Sequence, residues 1–180
     1  MEGGTPSPQA KLYNSQAMLS HIDSNRRPGM VDVADKAVTE RTATARAVVV
    51  LPADAAGQAE NGEINTHKGP VFQTAIIAGT QAAKRTHELI PFCHPLKLEG
   101  CRIELDLKGN EIEIECAVKV TGKTGAEMEA LTGATVAALT VYDMLKSASR
   151  GIEITAARLV ERTGGKSDYR DDGGSAVSSG

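Results

Sequence analysis

Cys101-Arg102-Ile103-Glu104-Leu105-Asp106-Leu107-Lys108-Gly109-Asn110-Glu111-Ile112-Glu113-Ile114-Glu115-Cys116-Ala117-Val118-Lys119-Val120 decides the fold. Cys101, Ile103, Leu105 and Leu107 alternate with Arg102, Glu104 and Asp106. After the Lys108-Gly109-Asn110 turn, Ile112, Ile114, Cys116, Val118 and Val120 alternate with acids and Lys119. One apolar and one charged face per strand describes an antiparallel hairpin covered on one side. The cover is encoded on either side of it. Phe72, Ala75, Ile76, Gly79, Ala82, Ala83, Thr86 and Leu89-Ile90 recur at helical spacing, and Pro91 stops that helix. Thr121-Gly122-Lys123-Thr124-Gly125 ends the second strand, and a long helix follows from Ala126 to about Ser149. Ala45–Leu51 is β-branched and apolar, a buried strand ended by Pro52, and Ile152–Val160 is a last strand before Gly164-Gly165. Between them Pro52–Thr66 is small and polar, with a turn at Asn61-Gly62. Two helices over one face of an antiparallel sheet give an α+β sandwich of the ferredoxin-like kind.

The 180 residues suffice for one domain with its own core, and 41% hydrophobic with 24% charged residues excludes wholesale disorder. The expected organisation is a flexible N-terminal arm over residues 1–29, with a short helix around Lys11 to Leu19. A single α+β domain then spans 30–167, and a Gly/Ser-rich flexible tail spans 168–180. Twenty Lys+Arg against 23 Asp+Glu leave a net charge of −3, and aromatics are only 3%. A single-strand nucleic-acid binder needs a basic surface with stacking platforms, and neither is supplied globally. The longest apolar run, Ala47–Leu51, is far short of the roughly 20 residues that span a bilayer. No basic segment followed by an apolar one opens the sequence, so no secretory signal and no membrane are expected. Cys93, Cys101 and Cys116 stand at no metal-ligand spacing. A reduced cytoplasm and no metal site are the expectations.

Two nucleotide signals fail: Gly165-Lys166-Ser167 and Gly122-Lys123-Thr124 lack the leading glycine of a P-loop, with Val160 and Ala117 in its place. Pro91-Phe92-Cys93-His94-Pro95 holds a Cys-His pair between two prolines just after a helix. It reads equally as a stiff, well-aimed site loop or as a rigid connection with a buried Cys. On the long helix, Thr124 and Glu127 form a T-x-x-E capping box. Asp143 lies about 40° from Glu129 around the axis, both outward, yet about 21 Å away along it. The pair therefore cannot share one reacting atom within a chain. Asp143 and Lys146 are i,i+3 neighbours, most commonly a surface ion pair, but an acid in a helix otherwise apolar from Leu131 to Leu145 invites a reason. His67-Lys68-Gly69 precedes the first helix, where a lysine can reach an anion that the helix dipole also favours.

Longer strings then match a family. Met30-Val31-Asp32-Val33, Lys68-Gly69, Ala78-Gly79-Thr80-Gln81-Ala82-Ala83-Lys84-Arg85-Thr86, Glu88-Leu89-Ile90-Pro91-Phe92-Cys93-His94-Pro95-Leu96, Thr121 to Thr132, Ala137 to Met144 and Gly164-Gly165-Lys166-Ser167 occur in family order. They closely resemble the cyclic pyranopterin monophosphate synthases, the molybdenum cofactor biosynthesis protein C family. The resemblance implies a lyase that takes a cyclised dihydroguanosine triphosphate, made from GTP by a radical SAM partner. It rearranges this to cyclic pyranopterin monophosphate and releases diphosphate. It further implies a ferredoxin-like fold, a homohexamer built as a trimer of dimers with sites at subunit interfaces, and no cofactor beyond a Mg2+ ion accompanying the triphosphate. Lys68, His94, Glu127, Glu129, Asp143 and Lys146 fall on the family's active-site positions. Phe92, Cys93, His94, Met128 and Glu129 match its substrate-binding segments, and Lys36, Arg41 and Lys166 match basic positions expected near the triphosphate. Asp143 with Lys146 is the expected acid/base pair, with Lys68 and the glutamates orienting the intermediate. Three positions depart from the family: Pro70 replaces its usual Asp, Phe92 its commoner Leu, and Pro52–Thr66 is poorer in apolar residues than its usual helical segment.

Two rivals come from other classes. A non-catalytic nucleotide- or RNA-binding ferredoxin-like module needs aromatics and a basic face on the sheet. The hairpin instead turns Glu104, Asp106, Glu111, Glu113 and Glu115 outward. A purely structural assembly subunit leaves Asp143, Lys146 and the Pro-flanked His without a role.

Overall fold

The quoted hairpin is the edge of a five-stranded antiparallel sheet. In the computed structural model, which describes residues 28–53, 59–60 and 62–171, the elements follow in chain order. They are β1 (Thr39–Val50), β2 (Ala59–Glu60), β3 (Glu63–Thr66), β4 (Gly69–Pro70), α1 (Val71–Lys84), α2 (Thr86–Leu89), β5 (Leu98–Lys108), β6 (Glu111–Gly122), α3 (Glu127–Leu145), β7 (Glu153–Thr163) and β8 (Tyr169–Arg170). Contacts divide the chain into Met1–Asp32 and Val33–Gly180, and all of these elements belong to the second unit. The expected arm with its short helix lies outside the described residues, apart from Pro28 and Gly29, and so does the tail from Asp172 onward. Tyr169 and Arg170 form a short strand paired with Arg162 and Glu161.

The large sheet has the order β5-β6-β1-β7-β8 with every neighbour antiparallel. α1 connects β1 towards β5 and α3 connects β6 to β7, so the fold is ferredoxin-like. A second small sheet, β2-β3-β4, precedes α1. Its first turn passes through Gly62 at φ 77°, the left-handed backbone expected at Asn61-Gly62.

Small side chains set the distance between the layers. The covered face of β1 is Ala43, Ala45, Ala47 and Val49, all buried, and it sits between the larger Ile112, Ile114, Cys116, Val118 and Val120 of β6 and the residues of β7. α1 buries Val71, Phe72, Ala75, Gly79, Ala82 and Ala83, and α3 buries Ala130, Gly133, Ala134, Ala137, Ala138 and Val141. The helices touch backbone to backbone where two glycines face each other. A Cβ on Gly79 would stand 2.7 Å from the Gly133 carbonyl and 2.6 Å from Ile103 Cδ1. One on Gly133 would stand 2.6 Å from Cys116 Sγ.

The boundaries differ from the expected ones for identifiable reasons. β1 begins at Thr39 rather than Ala45, because an alternation of Thr and Ala carries little hydrophobic contrast. The first helix ends at Lys84, not Ile90; Arg85 leaves helical geometry at φ −113°, and α2 restarts at Thr86. The buried Thr86 hydroxyl donates to the Ala83 carbonyl at 3.0 Å and tidies the break. The long helix ends at Leu145 rather than Ser149, and the last strand continues to Thr163.

Replacing Gly133 by Ala gains about 1 kcal/mol of helix propensity but forces a methyl against Cys116 and α1, an overpacking cost of about 1–3 kcal/mol. Gly79→Ala meets backbone and side chain together. Both variants are expected to unfold at lower urea than wild type, Gly79→Ala the more strongly. Unchanged midpoints would show that the helices can move apart freely.

Candidate active site

α3 carries chemistry at both ends. At its C-terminal end Asp143 is held between two lysines: Lys146 Nζ lies 2.7 Å from Oδ1, and Lys68 Nζ lies 3.1 Å from Oδ2. Lys68 also donates to the Asp143 backbone carbonyl at 3.1 Å. Lys68 occupies the two-residue turn between β3 and β4, so it reaches Asp143 across 75 residues of sequence. The hydrogen bond from Lys146, then that from Lys68, holds the Asp143 carboxyl below the usual carboxylate range. The bond to Asp143 in turn raises Lys146. Asp143 is therefore a carboxylate at neutral pH and Lys146 an ammonium. The sequence suggested Lys68 as a partner for an anion at the α1 entrance. That place is filled from within, because Glu63 accepts the N–H groups of Phe72 at 2.8 Å and Gln73 at 3.2 Å.

The N-terminal end is different in character. Glu129 was expected to face outward beside Asp143, yet it is only 4% exposed. Burial pushes its carboxyl up to about 7, helped by the Glu127 charge and opposed by a bond to its own backbone. Cys93 is raised by burial and by the charge of Glu129, which places the Phe92-Cys93-His94 loop within electrostatic reach of that carboxyl. His94 and Cys93 are half-buried, whereas Phe92 and Met128 are exposed.

The capping box does not form. Ala126 is the N-cap residue, with no side-chain cap. Glu127 folds over Gly125, filling the space a Cβ there would take, and accepts Arg162 Nη1 at 2.9 Å. Arg162 is the residue that sequence reasoning missed. It sits on β7 opposite the buried Ala43, and its Nε is buried with no hydrogen-bond partner among the described residues. Two register shifts in the β1–β7 pairing scramble the alternation that would have flagged an arginine at a register position opposite a buried alanine.

The other expected cations divide between the two ends. Arg41 Nε donates to the Gly122 carbonyl at 3.1 Å, and its guanidinium lies beside Gly165, next to Lys166. Lys123 Nζ holds the Ala34 carbonyl at 2.6 Å, which fastens the turn carrying Lys36 to the β6–α3 connection. Arg162 thus pairs with Glu127, and the backbone carrying Arg41, Lys166 and Lys36 is tied to the β6–α3 connection at the same end of α3. Lys68 and Lys146 belong with Asp143. Within one chain these two groups stand apart, since the ends of α3 are about 24 Å from each other between Glu127 and Asp143. On the open face of the sheet the acids are met by bases: Arg46 pairs with Glu115 at 3.1 Å and Lys108 with Glu113 at 2.7 Å.

A ferredoxin-like α+β protein with tuned carboxylates and clustered cations at either end of one helix is suited to acid/base chemistry on a polyanionic substrate. Comparison with known proteins narrows this. The model of the MoaC family matches residues 30–165. The chain is 52% identical over 153 residues to a cyclic pyranopterin monophosphate synthase of Xanthomonas oryzae pv. oryzae, covering 84% of this chain and 93% of that protein. It is 48% identical over 156 residues to the molybdenum cofactor biosynthesis bifunctional protein of a Synechocystis species, covering 84% of this chain and 45% of that one. The chain belongs to the MoaC family. No helix among the described residues is long and apolar enough to cross a membrane.

Glu129 gives a signed pH dependence. Its carboxyl titrates near 4.5 when ordinary and about 7 when folded, so the folded state binds the extra proton in that window. The stability linked to it is present below pH 4.5 and is lost as pH rises through 7. Urea midpoints of wild type relative to Glu129→Gln should fall between those pH values and level off above them. A constant difference from pH 4 to 8 would place Glu129 in water.

Proposed function

We propose that the protein catalyses the cyclic pyranopterin monophosphate synthase reaction in molybdenum cofactor biosynthesis. A cyclised dihydroguanosine triphosphate is rearranged to cyclic pyranopterin monophosphate and diphosphate leaves. The observation that carries this reading is the convergence of Lys68 and Lys146 on Asp143, three residues for which the family resemblance implies an active-site role. Asp143, anionic between two ammonium groups, is suited to accept or orient a proton, and Lys146 to donate one. Glu129, with its carboxyl near 7, can do either at neutral pH. Arg41, Lys166, Lys36 and Arg162 supply fixed positive charge for a triphosphate and for the charge that develops as diphosphate departs. Phe92, Cys93, His94 and Met128 border the same end as Glu129 and offer the surface for the ring system.

The separation of the two ends leads to the assembly. One substrate cannot touch both within a chain, so the site is composed of the N-terminal end of α3 from one subunit and the C-terminal end from another. A homohexamer built as a trimer of dimers would provide this. Ile77 and Leu139, 64% and 53% exposed on α1 and α3, are the kind of apolar surface such contacts cover. The protein works in the cytoplasm downstream of a radical SAM enzyme acting on GTP. It needs no resident cofactor, and a Mg2+ ion enters with the triphosphate as part of the substrate. The rival nucleotide- or RNA-binding module is disfavoured by the ion-paired, acid-rich open face of the sheet, which offers polyanions no basic platform.

Incubation with the cyclised GTP intermediate should release diphosphate and yield a product that becomes a fluorescent pterin on oxidation. Asp143→Asn and Lys146→Ala should each lower kcat/KM by about 10²–10⁴-fold. No diphosphate from wild type refutes the enzyme reading, and full activity in both variants refutes the site. Light scattering at micromolar concentration should report a hexamer, whereas a monomer is incompatible with the composite site.

A further inference from the structure

We propose that Glu63 is a positioning residue that holds Lys68 on Asp143; the proposal rests on the reading of Lys68 as part of the site. Pro70 is the N-cap residue of α1 and makes no side-chain cap, so the N–H groups of the first turn need another acceptor. Glu63 provides it from a different element. Its Oε1 accepts Phe72 N–H at 2.8 Å and its own neighbour Ile64 N–H at 2.8 Å, and its Oε2 accepts Gln73 N–H at 3.2 Å. One carboxylate therefore clamps the first residue of β3 to the first turn of α1.

The clamp lies at the base of the hairpin that carries Lys68. β3 and β4 pair through Asn65 with Pro70 and Thr66 with Gly69, leaving His67 and Lys68 as the turn. Thr66 stiffens that turn: its hydroxyl donates to the Gly69 carbonyl at 3.2 Å and accepts Lys68 N–H at 3.1 Å. From the tip, Lys68 Nζ bonds both the carboxylate and the backbone carbonyl of Asp143, each at 3.1 Å. Ile64 is fully buried and acts as the second fixed point. Ile64 to Thr66 spans about 7 Å of strand. Without the clamp, a tilt of about 9° around Ile64 moves Thr66, and the turn it opens, by about 1 Å, a displacement of the size that can cost about 100-fold in rate. Glu63 touches no substrate in this scheme. It acts through Lys68.

The test separates positioning from mere helix capping. Glu63→Ala should lower both the thermal midpoint and kcat/KM, the latter about 10- to 100-fold. Glu63→Ala/Pro70→Asp returns a carboxylate to the N-cap residue without tying α1 to β3. It should recover the thermal midpoint while kcat/KM stays low, and a parallel recovery of activity overturns the proposal. In a Lys68→Ala background, Glu63→Ala should cost no further activity, whereas an undiminished cost shows that Glu63 acts by another route. If Glu63→Ala does not fold, Glu63→Gln, which keeps one acceptor oxygen, is measured in both backgrounds by the same criterion. Full activity of Lys68→Ala alone defeats the site reading. An impaired Lys68→Ala beside a fully active Glu63→Ala defeats only the positioning role.

Discussion

The close approach of α1 and α3 at Gly79 and Gly133 is the constraint on which the rest of the fold depends. Two helix backbones can meet at that distance only where neither carries a Cβ, and they can settle over the sheet only because β1 presents alanines beneath them. The contact fixes α3 along its length, and the titratable groups at both of its ends are carried by that one rigid element. A shift of the helix crossing would move Glu129 and Asp143 together, in opposite senses about the pivot at Gly133. Precision at the site is thus a property of the small-residue core.

The two ends of α3 work in different electrostatic regimes. Asp143 is solvent-exposed and bracketed by ammonium groups, which favours its charged form. Glu129 is buried, and desolvation favours its neutral form up to about pH 7. Carboxyl groups driven apart in this way can take opposite roles in one reaction, one remaining a base while the other keeps a proton to give. Glu127 is in a third state, bonded to Arg162 at 2.9 Å. The N-terminal end therefore couples its acids to a group of cations, and the C-terminal end holds one acid under two.

Much of the fold is written in period-two and period-3.6 patterns that survive folding unchanged. The Cys101–Val120 hairpin, the alanine-rich helices and the Gly62 turn follow from them directly. What escaped depends on contacts distant in sequence. The first half of β1 is hidden because Thr and Ala differ little in hydrophobicity. The break at Arg85 relies on the buried Thr86 hydroxyl. Bulges opposite β1 conceal the register that sets Arg162 against Ala43, and Pro70 gives no hint that Glu63 caps α1. For the site, residue types and resemblance pointed to Asp143, Lys146 and Lys68, which come together. Glu129 was placed on the wrong side of the surface because a helical wheel gives direction and not depth. The T-x-x-E signature at Thr124 was satisfied in sequence, yet Arg162 outcompetes a neutral cap for Glu127.

A site shared between subunits makes a demand that no single-chain arrangement makes. Glu129→Gln and Asp143→Asn remove opposite ends of α3, so a mixed dimer of the two variants has one doubly altered site and one intact site. Co-expression of the two inactive variants should restore diphosphate release to about a quarter of wild type for random pairing in a two-fold symmetric dimer. If the mixed preparation forms hetero-oligomers yet remains as inactive as its parents, both ends of the helix serve the same chain and the composite site is wrong.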